Sequence, residues 1–162
     1  MNRVYRVLRR AYARAAFDGE GAYRYGGRWS SPGTRLGYAS QHQSLAMLEY
    51  FVHLDKDDPP DDLVLAVAEV PADVSRKRIT LARLPALWRQ AAAPPGLVRF
   101  GDEFVRRGND CVLIVPSVLA PSECNWLINP AHPHFSRIKV LKTEPLHYDP
   151  RMFRSRPQRS GQ

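Results

Sequence analysis

The chain has 162 residues, 24 of them lysine or arginine and 16 of them acidic, and its net charge is +8. This length fits one domain that buries its own core, and no apolar run reaches the ~20 residues of a transmembrane helix. The two cysteines argue against a disulfide framework and favour a reducing compartment, so we expect a cytoplasmic protein.

The first half of the chain predicts a strand, a turn-rich segment and a helix. Residues 4–8 alternate apolar and polar side chains as a strand does, and residues 9–17 are compatible with a short helix or a loop. Residues 19–37 are rich in turns and lead into a short strand at 36–39. Ser40 and Gln43 match a capping box, which predicts a helix over residues 41–54.

The second half is richer in strands. Residues 63–70 predict a central strand that ends at a proline, Ile79 and Leu81 fit a further strand, and buried strands are also predicted at 111–115 and 138–141. Helices are predicted at 85–92 and 97–107, the second ended by Gly108. Because helices and strands mix without regular alternation, we expect a single α+β domain with a mixed β-sheet core.

The net positive charge suits several kinds of anionic partner: nucleic acid, a membrane surface, an acidic protein or a phosphate-bearing ligand. The basic residues concentrate at the two ends, and the chain has no zinc finger and no RNA-recognition motif. Direct readout of a nucleic-acid sequence is therefore not expected.

Glu49 interrupts an otherwise apolar helical stretch at residues 45–54. A bare carboxylate is costly to bury, so this one must be solvated at a cleft or paired. A structural pair with some arginine would explain it, and so would a role in catalysis.

Three familiar kinds of site fit the sequence poorly. Residues 19–24 lack the third glycine of the dinucleotide fingerprint, and there is no Walker A motif. Glu49 and His53 share a helical face, but zinc needs three or four converging ligands, so no metal is expected. Ser117 follows a predicted strand without the flanking residues of a nucleophile elbow.

A fourth chemistry combines Arg28, Tyr38, Glu49 and Ser117. Arg28 offers a planar donor fork suited to a pyrophosphate, Tyr38 offers a ring for stacking, and Ser117 can hydrogen-bond a ribose or an amide. Glu49 can face a developing positive charge, as cleavage of an N-glycosidic bond to a pyridinium requires. Taken singly, each residue also has a structural explanation, as a loop ion pair, a core ring, a partner for an arginine or a turn cap.

Five short motifs follow one another along the chain: Arg-Trp-Ser-Ser-Pro-Gly at 28–33, Tyr-Ala-Ser at 38–40, Ser-Leu-Ala-Met-Leu-Glu at 44–49, Val-Pro-Ser at 115–117 and Glu-Cys-Asn-Trp-Leu-Ile-Asn-Pro-Ala-His-Pro at 123–133. Their order resembles the RES-domain family, which is named for an arginine, a glutamate and a serine that match Arg28, Glu49 and Ser117. We therefore expect a RES domain over residues 1–152 and a flexible basic tail over residues 153–162.

The resemblance implies the toxin half of a bacterial toxin–antitoxin pair, with a fold similar to the ADP-ribosyltransferase toxins and a NAD cleft. It implies that Arg28 holds NAD, that Tyr38 packs on its nicotinamide side and that Glu49 is the catalytic carboxylate. Ser117 would line the cleft and Asn125 would support it. The implied partner is an antitoxin with a Xre-like helix-turn-helix domain, through which DNA is contacted indirectly.

Two classes of function remain open from the sequence. In the first, the protein breaks the nicotinamide–ribose bond of NAD and passes ADP-ribose to water, to phosphate or to a cellular protein. In the second, it is a non-enzymatic basic module that binds an acidic protein or nucleic acid, and Glu49 is structural.

Overall fold

The computed structural model describes residues 1–153, so the predicted tail at 153–162 lies outside the described residues except for Phe153. The strands are β1 (Asn2–Arg9), β2 (Gly37–Ser40), β3 (Leu63–Val70), β4 (Arg76–Arg78), β5 (Val112–Pro116), β6 (Cys124–Ile128) and β7 (Lys139–Pro145). The α-helices are α1 (Glu20–Tyr25), α2 (Gln43–Phe51) and α3 (Pro95–Arg107), and short 3-10 helices cover Arg10–Ala15, Leu81–Arg83, Pro133–Arg137 and Pro150–Met152. Within residues 1–153 no helix is long and apolar enough to cross a membrane.

The strands form one seven-stranded sheet in the order β4-β5-β6-β2-β1-β3-β7. β4 and β5 run parallel, and the other neighbouring pairs are antiparallel. This mixed sheet with irregularly placed helices confirms the predicted α+β class. The late strand β6 lies beside the early strand β2, so residues far apart in sequence meet in the middle of the sheet.

The strongest pairing joins β1 to β3 along the full length of both strands. Seven of the eight residues of β3 are buried, because apolar clusters cover both faces of the strand. Val64 and Ala66 belong to one cluster, and Leu65 and Val67 belong to the other. This alternation is the usual arrangement of side chains along a strand.

Helices α2 and α3 pack on different parts of the sheet. Ala46 of α2 lies in the same apolar cluster as Leu65 of β3. Leu97 and Phe104 of α3 lie in another cluster, with Leu127 of β6. β2 lies between these two parts in the strand order, at the boundary between the regions that the two helices cover.

The predicted strands at 4–8, 36–39, 63–70, 111–115 and 138–141 are confirmed within a few residues, as is the helix at 97–107. Gly108 ends that helix in the left-handed conformation, with φ of 62°. Ile79 donates its backbone N–H to Ile114 of β5, whereas Leu81 begins a 3-10 helix instead of extending a strand.

The predicted capping box at Ser40 is wrong. Ser40 is the last residue of β2, and the helix begins at Gln43 after His42, with no side-chain cap. The hydroxyl of Ser40 donates instead to Asn125 across the sheet. The helix is consequently nine residues long, shorter than the predicted 41–54.

Three further segments differ from the prediction. Residues 85–92 form turns instead of a helix, because backbone carbonyls at 88, 90 and 91 accept hydrogen bonds from Arg28 and Leu87 has a φ of 66°. β6 was not predicted, since polar residues at its start break the apolar pattern and pairing on both sides determines its conformation. The turn-rich segment also contains the short helix α1.

A close approach between α3 and the turn at residues 27–30 holds Arg28 in place. A Cβ on Gly101 would lie 1.7 Å from the carbonyl oxygen of Trp29, so only glycine fits there. Trp29 itself is 2% exposed. On the other side of this turn, the backbone N–H and hydroxyl of Ser31 both donate to Asp102 of α3.

Candidate active site

Glu49 lies on α2, half-buried, where two polar side chains converge on one of its carboxylate oxygens. The Ser117 hydroxyl donates to Oε1 at 2.7 Å, and the Asn125 amide nitrogen donates to the same oxygen at 2.6 Å. Both bonds suit an ionised carboxylate, which only accepts. Within residues 1–153 no hydrogen bond reaches Oε2, so that oxygen is the one available to a ligand.

The order of the strands explains why these side chains meet. Asn125 of β6 pairs with Ser40 of β2 on one side and with Val115 of β5 on the other. Paired residues direct their side chains to the same face. Ser117 follows two residues after Val115, and its N–H donates to the Glu123 carbonyl just ahead of β6.

The donors to Glu49 are themselves fixed. The Ser117 oxygen accepts from the backbone N–H groups of Leu119 and Ala120 at 3.1 and 3.2 Å, which directs its hydrogen to Glu49. The Asn125 carbonyl oxygen accepts from the Ser40 hydroxyl at 2.8 Å, which directs the amide N–H groups to Glu49. The carboxylate is thus oriented before any ligand arrives.

Tyr38 lies two residues before Ser40 on β2, so the two side chains share a face of the sheet. Its hydroxyl accepts from the Trp29 backbone N–H at 3.1 Å and lies 3.0 Å from the Ser30 hydroxyl. Burial, partly offset by these hydrogen bonds, raises the pKa of Tyr38 above its usual value. The Tyr38 side chain is therefore held in place and uncharged, and its hydroxyl supports the turn that carries Arg28.

Arg28 hydrogen-bonds the turns at residues 88–91, and among the described hydrogen bonds none joins it to Glu49. Its guanidinium donates to the carbonyls of Trp88, Gln90 and Ala91 at 3.2, 2.9 and 3.0 Å. These bonds use three of the five N–H donors of an arginine. In the expected bond to a pyrophosphate, Arg28 would use its remaining N–H donors, or the pyrophosphate would displace these carbonyls as the acceptors.

The same turns approach the Glu49 site from their other end. Arg89 donates to the Val118 carbonyl at 3.2 Å, one residue after Ser117. Residues 88–91 therefore connect the Arg28 turn to the segment that supplies a donor to Glu49. Of the four predicted residues, Ser117 and Glu49 are in direct contact. Tyr38 contacts the turn that carries Arg28, and residues 88–91 link Arg28 to the segment after Ser117.

Ser40 and Arg89 belong to this site although the sequence analysis did not select them. Ser40 was interpreted as a helix cap, but its position two residues after Tyr38 on a strand was the signal that both side chains share a face. No comparable signal marked Arg89, because its segment was predicted to be helical.

Three of the five histidines make side-chain hydrogen bonds among the described residues. His42 Nδ1 lies 3.1 Å from Glu123, and the Nδ1 atoms of His132 and His134 accept from backbone N–H groups. In residues 1–153, no three histidine, cysteine, aspartate or glutamate side chains are grouped so as to hold a metal.

Two cavities of the described residues are not lined by Glu49. One of about 130 Å³ is lined by Lys77, Ile79, Phe100, Glu103, Phe104, Arg107, Asn109, Asp110 and Leu113. The other, larger and more open, is lined by Arg9, Tyr50, His53, Leu54, Asp55, Asp58, Pro59, Pro60 and Asp61. Neither cavity is lined by Ser117 or Asn125, the donors to Glu49. The candidate site is therefore identified by its hydrogen bonds and not by the shape of the surface.

Comparison with known proteins shows a family and a fold. A sequence profile of the RES domain matches residues 3–149. The chain is 39% identical over 147 residues to the Prs ADP-ribosylating toxin of Sphingobium sp. (strain YBL2), covering 90% of this chain and 91% of that protein. It is 37% identical over 150 residues to Toxin Res of Pseudomonas putida, covering 91% of this chain and 99% of that protein.

A solved structure shares the fold. A chain of the M. tuberculosis MbcT–MbcA toxin–antitoxin complex superimposes with a TM-score of 0.74 and 17% identity, covering 94% of this chain and 86% of that one. At this identity the likeness concerns the fold alone.

Proposed function

We propose, from the premise that the chain belongs to the RES domain family, that it is the toxin of a toxin–antitoxin pair and cleaves the nicotinamide–ribose bond of NAD. Its family membership confirms the resemblance found in the sequence. The observation that carries the chemical part is the Glu49 carboxylate, fixed through one oxygen by Ser117 and Asn125. NAD is a substrate in this proposal, and no metal takes part.

Glu49 fits the charge that this reaction develops. The nicotinamide of NAD is cationic and leaves as a neutral molecule with the bonding electron pair, so positive charge builds on the ribose. A carboxylate fixed before the reaction stabilises that charge without having to reorient. The Oε2 oxygen is the atom that would face the ribose, and the bonds to Oε1 from Ser117 and Asn125 would keep it there.

Arg28 and Tyr38 would bind the rest of the dinucleotide. Two N–H donors of Arg28 remain after its three bonds to residues 88–91, and they form an edge suited to a pyrophosphate oxygen. Tyr38 shares its sheet face with Ser40 and presents a neutral ring for packing against the nicotinamide side. The Ser117 hydrogen is committed to Glu49, which favours a positioning role over a direct bond to ribose.

Among water, phosphate and a protein side chain, we favour a protein as the acceptor of ADP-ribose. The relative that is 39% identical carries the name Prs ADP-ribosylating toxin, which supports transfer to a protein. Toxins of the same family and a fold neighbour from a toxin–antitoxin complex support a cognate antitoxin. We propose that this antitoxin carries a Xre-like helix-turn-helix domain and supplies the DNA contacts of the complex.

The test of the chemical proposal is nicotinamide release from NAD by the purified chain. We expect release by the wild type, and a loss of at least about 100-fold in Glu49→Gln, as when one group that stabilises transition-state charge is removed. Glu103→Gln is the matched control, because Glu103 is an exposed glutamate on α3 that pairs with Arg107.

Two results would count against the proposal. Absence of nicotinamide release by the wild type, with phosphate or cell extract supplied, would contradict NAD cleavage. A Glu49→Gln variant that unfolds more readily yet cleaves NAD normally would assign Glu49 a structural role. The antitoxin proposal is tested by coexpressing the chain with a candidate Xre-like antitoxin, purifying the complex and measuring its NAD turnover. Unchanged NAD turnover in the complex would contradict this proposal.

A further inference from the structure

A group of exposed tyrosines and arginines surrounds α1. Tyr12, Tyr23 and Tyr25 are 68%, 44% and 82% exposed, and Arg24 and Arg35 lie beside them on the surface. We call these five residues the Tyr–Arg surface. Three exposed tyrosines within 14 residues place an unusually large aromatic area on the surface of the described residues.

Glu20 and a ring contact link three of the five residues, Arg24, Arg35 and Tyr23. Arg24 Nε donates to Glu20 Oε1 at 2.7 Å, and Arg35 pairs with the other oxygen of the same carboxylate. The guanidinium of Arg35 also lies 4.5 Å from the centre of the Tyr23 ring. The pairing with Arg24 and Arg35 lowers the pKa of Glu20. The arginines therefore present their remaining donors outward from fixed positions.

The composition of this surface is that of a protein interface. Tyrosine and arginine are enriched at interfaces and dominate their binding energy, whereas lysine is depleted. Residues 10–35 contain arginines and no lysine. A carboxylate at the centre disfavours a nucleic-acid backbone, and the net charge of +8 disfavours a second copy of this chain. The partner that fits is a protein with acidic side chains on its surface.

The Tyr–Arg surface adjoins the turn that carries Arg28. Tyr25 ends α1 three residues before Arg28, and three residues span at most about 11 Å. None of its five residues hydrogen-bonds Glu49, Ser117 or Asn125 among the described contacts. A protein held there would lie beside the Arg28 turn without using any group that binds Glu49, as an acceptor must and as an inhibitor that covers Glu49 does not.

We infer that the Tyr–Arg surface docks the acceptor protein, through acidic residues near the side chain that receives ADP-ribose. This inference rests on the proposed function. The nicotinamide leaves NAD with its electron pair, the acceptor side chain forms the new bond to the ribose carbon, and the acceptor loses one proton to solvent. Water needs no docking surface. Substitutions in the Tyr–Arg surface should therefore slow transfer to a protein but not hydrolysis of NAD.

The experiment compares two reactions of the double variant Arg24→Ala/Tyr25→Ala. One is nicotinamide release with NAD alone, and the other is labelling of proteins in a desalted bacterial extract with biotinylated NAD. We expect unchanged release and at least about tenfold slower labelling. We also expect labelling by the wild type, but not its hydrolysis of NAD, to weaken between 50 and 300 mM salt, as a charged interface does.

The matched control is Arg106→Ala/Leu141→Ala, which removes one exposed cation and one exposed apolar side chain elsewhere. Labelling by the docking variant at the wild-type rate would overturn the inference, as would hydrolysis of NAD by the wild type with no protein labelled. Loss of antitoxin binding with labelling intact would assign the surface to the antitoxin and also overturn it. Failure of the wild type to consume NAD would instead contradict the proposed function.

Discussion

Ser40 shows how a hydroxyl that does not contact Glu49 can still orient a group that does. Its bond to Asn125 decides which end of the amide faces Glu49. Without that bond the Asn125 amide can rotate and turn its oxygen towards Glu49. The amide oxygen and the carboxylate oxygen would then repel each other. Ser40 is 4% exposed, so a replacement must satisfy the same buried partner.

We predict that Ser40→Ala lowers the rate of NAD cleavage about five- to tenfold, the effect of roughly 1 kcal/mol of lost orientation. Initial rates at saturating NAD measure it. Ser40→Thr retains a hydroxyl and should recover most of the rate, a rescue that a purely steric role would not produce. Equal losses in both variants would show that the hydroxyl bond has no part in positioning.

Single residues could be predicted from the sequence where the side chain itself was out of place in its surroundings, as a carboxylate is in an apolar helix. The sequence predicted that the carboxylate of Glu49 is either solvated at a cleft or paired; it is half-buried and accepts hydrogen bonds from Ser117 and Asn125. The carbonyls that bind Arg28 were not predictable, because they belong to a segment whose conformation depends on that same arginine.

At the scale of elements, α3 positions the Arg28 turn through two neighbouring residues. Gly101 admits the Trp29 carbonyl against the helix, and Asp102 accepts both donors of Ser31. The sequence predicts this helix, but the spacing of apolar residues does not show which of its glycines packs against the backbone of another segment. Such contacts emerge only when the elements pack together.

We predict that Gly101→Ala lowers the free energy of unfolding by about 3 kcal/mol, the upper range for overpacking, because the added carbon meets backbone. Denaturant unfolding measures the change. Gly96→Ala in the same helix is the control, since its Cβ would meet Pro85 at 3.7 Å, an ordinary contact. That control should be neutral or slightly stabilising, because alanine favours helix, and similar losses in both variants would contradict the packing argument.

Asp102 predicts a dependence of stability on acid. Burial raises its pKa, but the Ser31 hydrogen bonds more than offset this and hold the pKa below its ordinary 3.8. A carboxyl with a lowered folded-state pKa stabilises the protein above its unfolded-state pKa, and this stability is lost as the pH falls through the folded-state value. We expect Asp102→Asn to unfold at lower denaturant than the wild type at pH 7.

The difference between Asp102→Asn and the wild type should shrink as the pH falls below 3.8. Denaturant midpoints across pH 2.5 to 7, each taken where both proteins refold, provide the measurement. A difference that stays constant over that range would show that the charge of Asp102 contributes nothing.

For the whole molecule, the strand order assembles the site from distant parts of the chain. Residues at 40, 49, 117 and 125 converge because β2 pairs with β6 and β6 pairs with β5. The sequence predicted the α+β class and most strands, since continuous apolar runs and proline ends are local signals. It did not predict β6, whose conformation depends on partners on both sides.

We predict that NAD stabilises the whole domain in the Glu49→Gln variant, which should bind without turnover. A ligand at 100 times its dissociation constant adds about 2.7 kcal/mol, seen as a rise in the thermal midpoint that grows with NAD concentration. Arg28→Ala combined with Glu49→Gln should reduce that rise. An unchanged midpoint at millimolar NAD would contradict binding of the dinucleotide by this fold.

The pairing of residues 37–40 with residues 125–128 has a consequence for biosynthesis. A ribosome makes α2 long before it makes β6, so a nascent chain carries Glu49 without Ser117 or Asn125 to orient it. The centre of the sheet closes only when the last third of the polypeptide has emerged. Truncated translation products that end before β6 therefore lack the assembled site, so the proposed NAD cleavage would require the finished molecule.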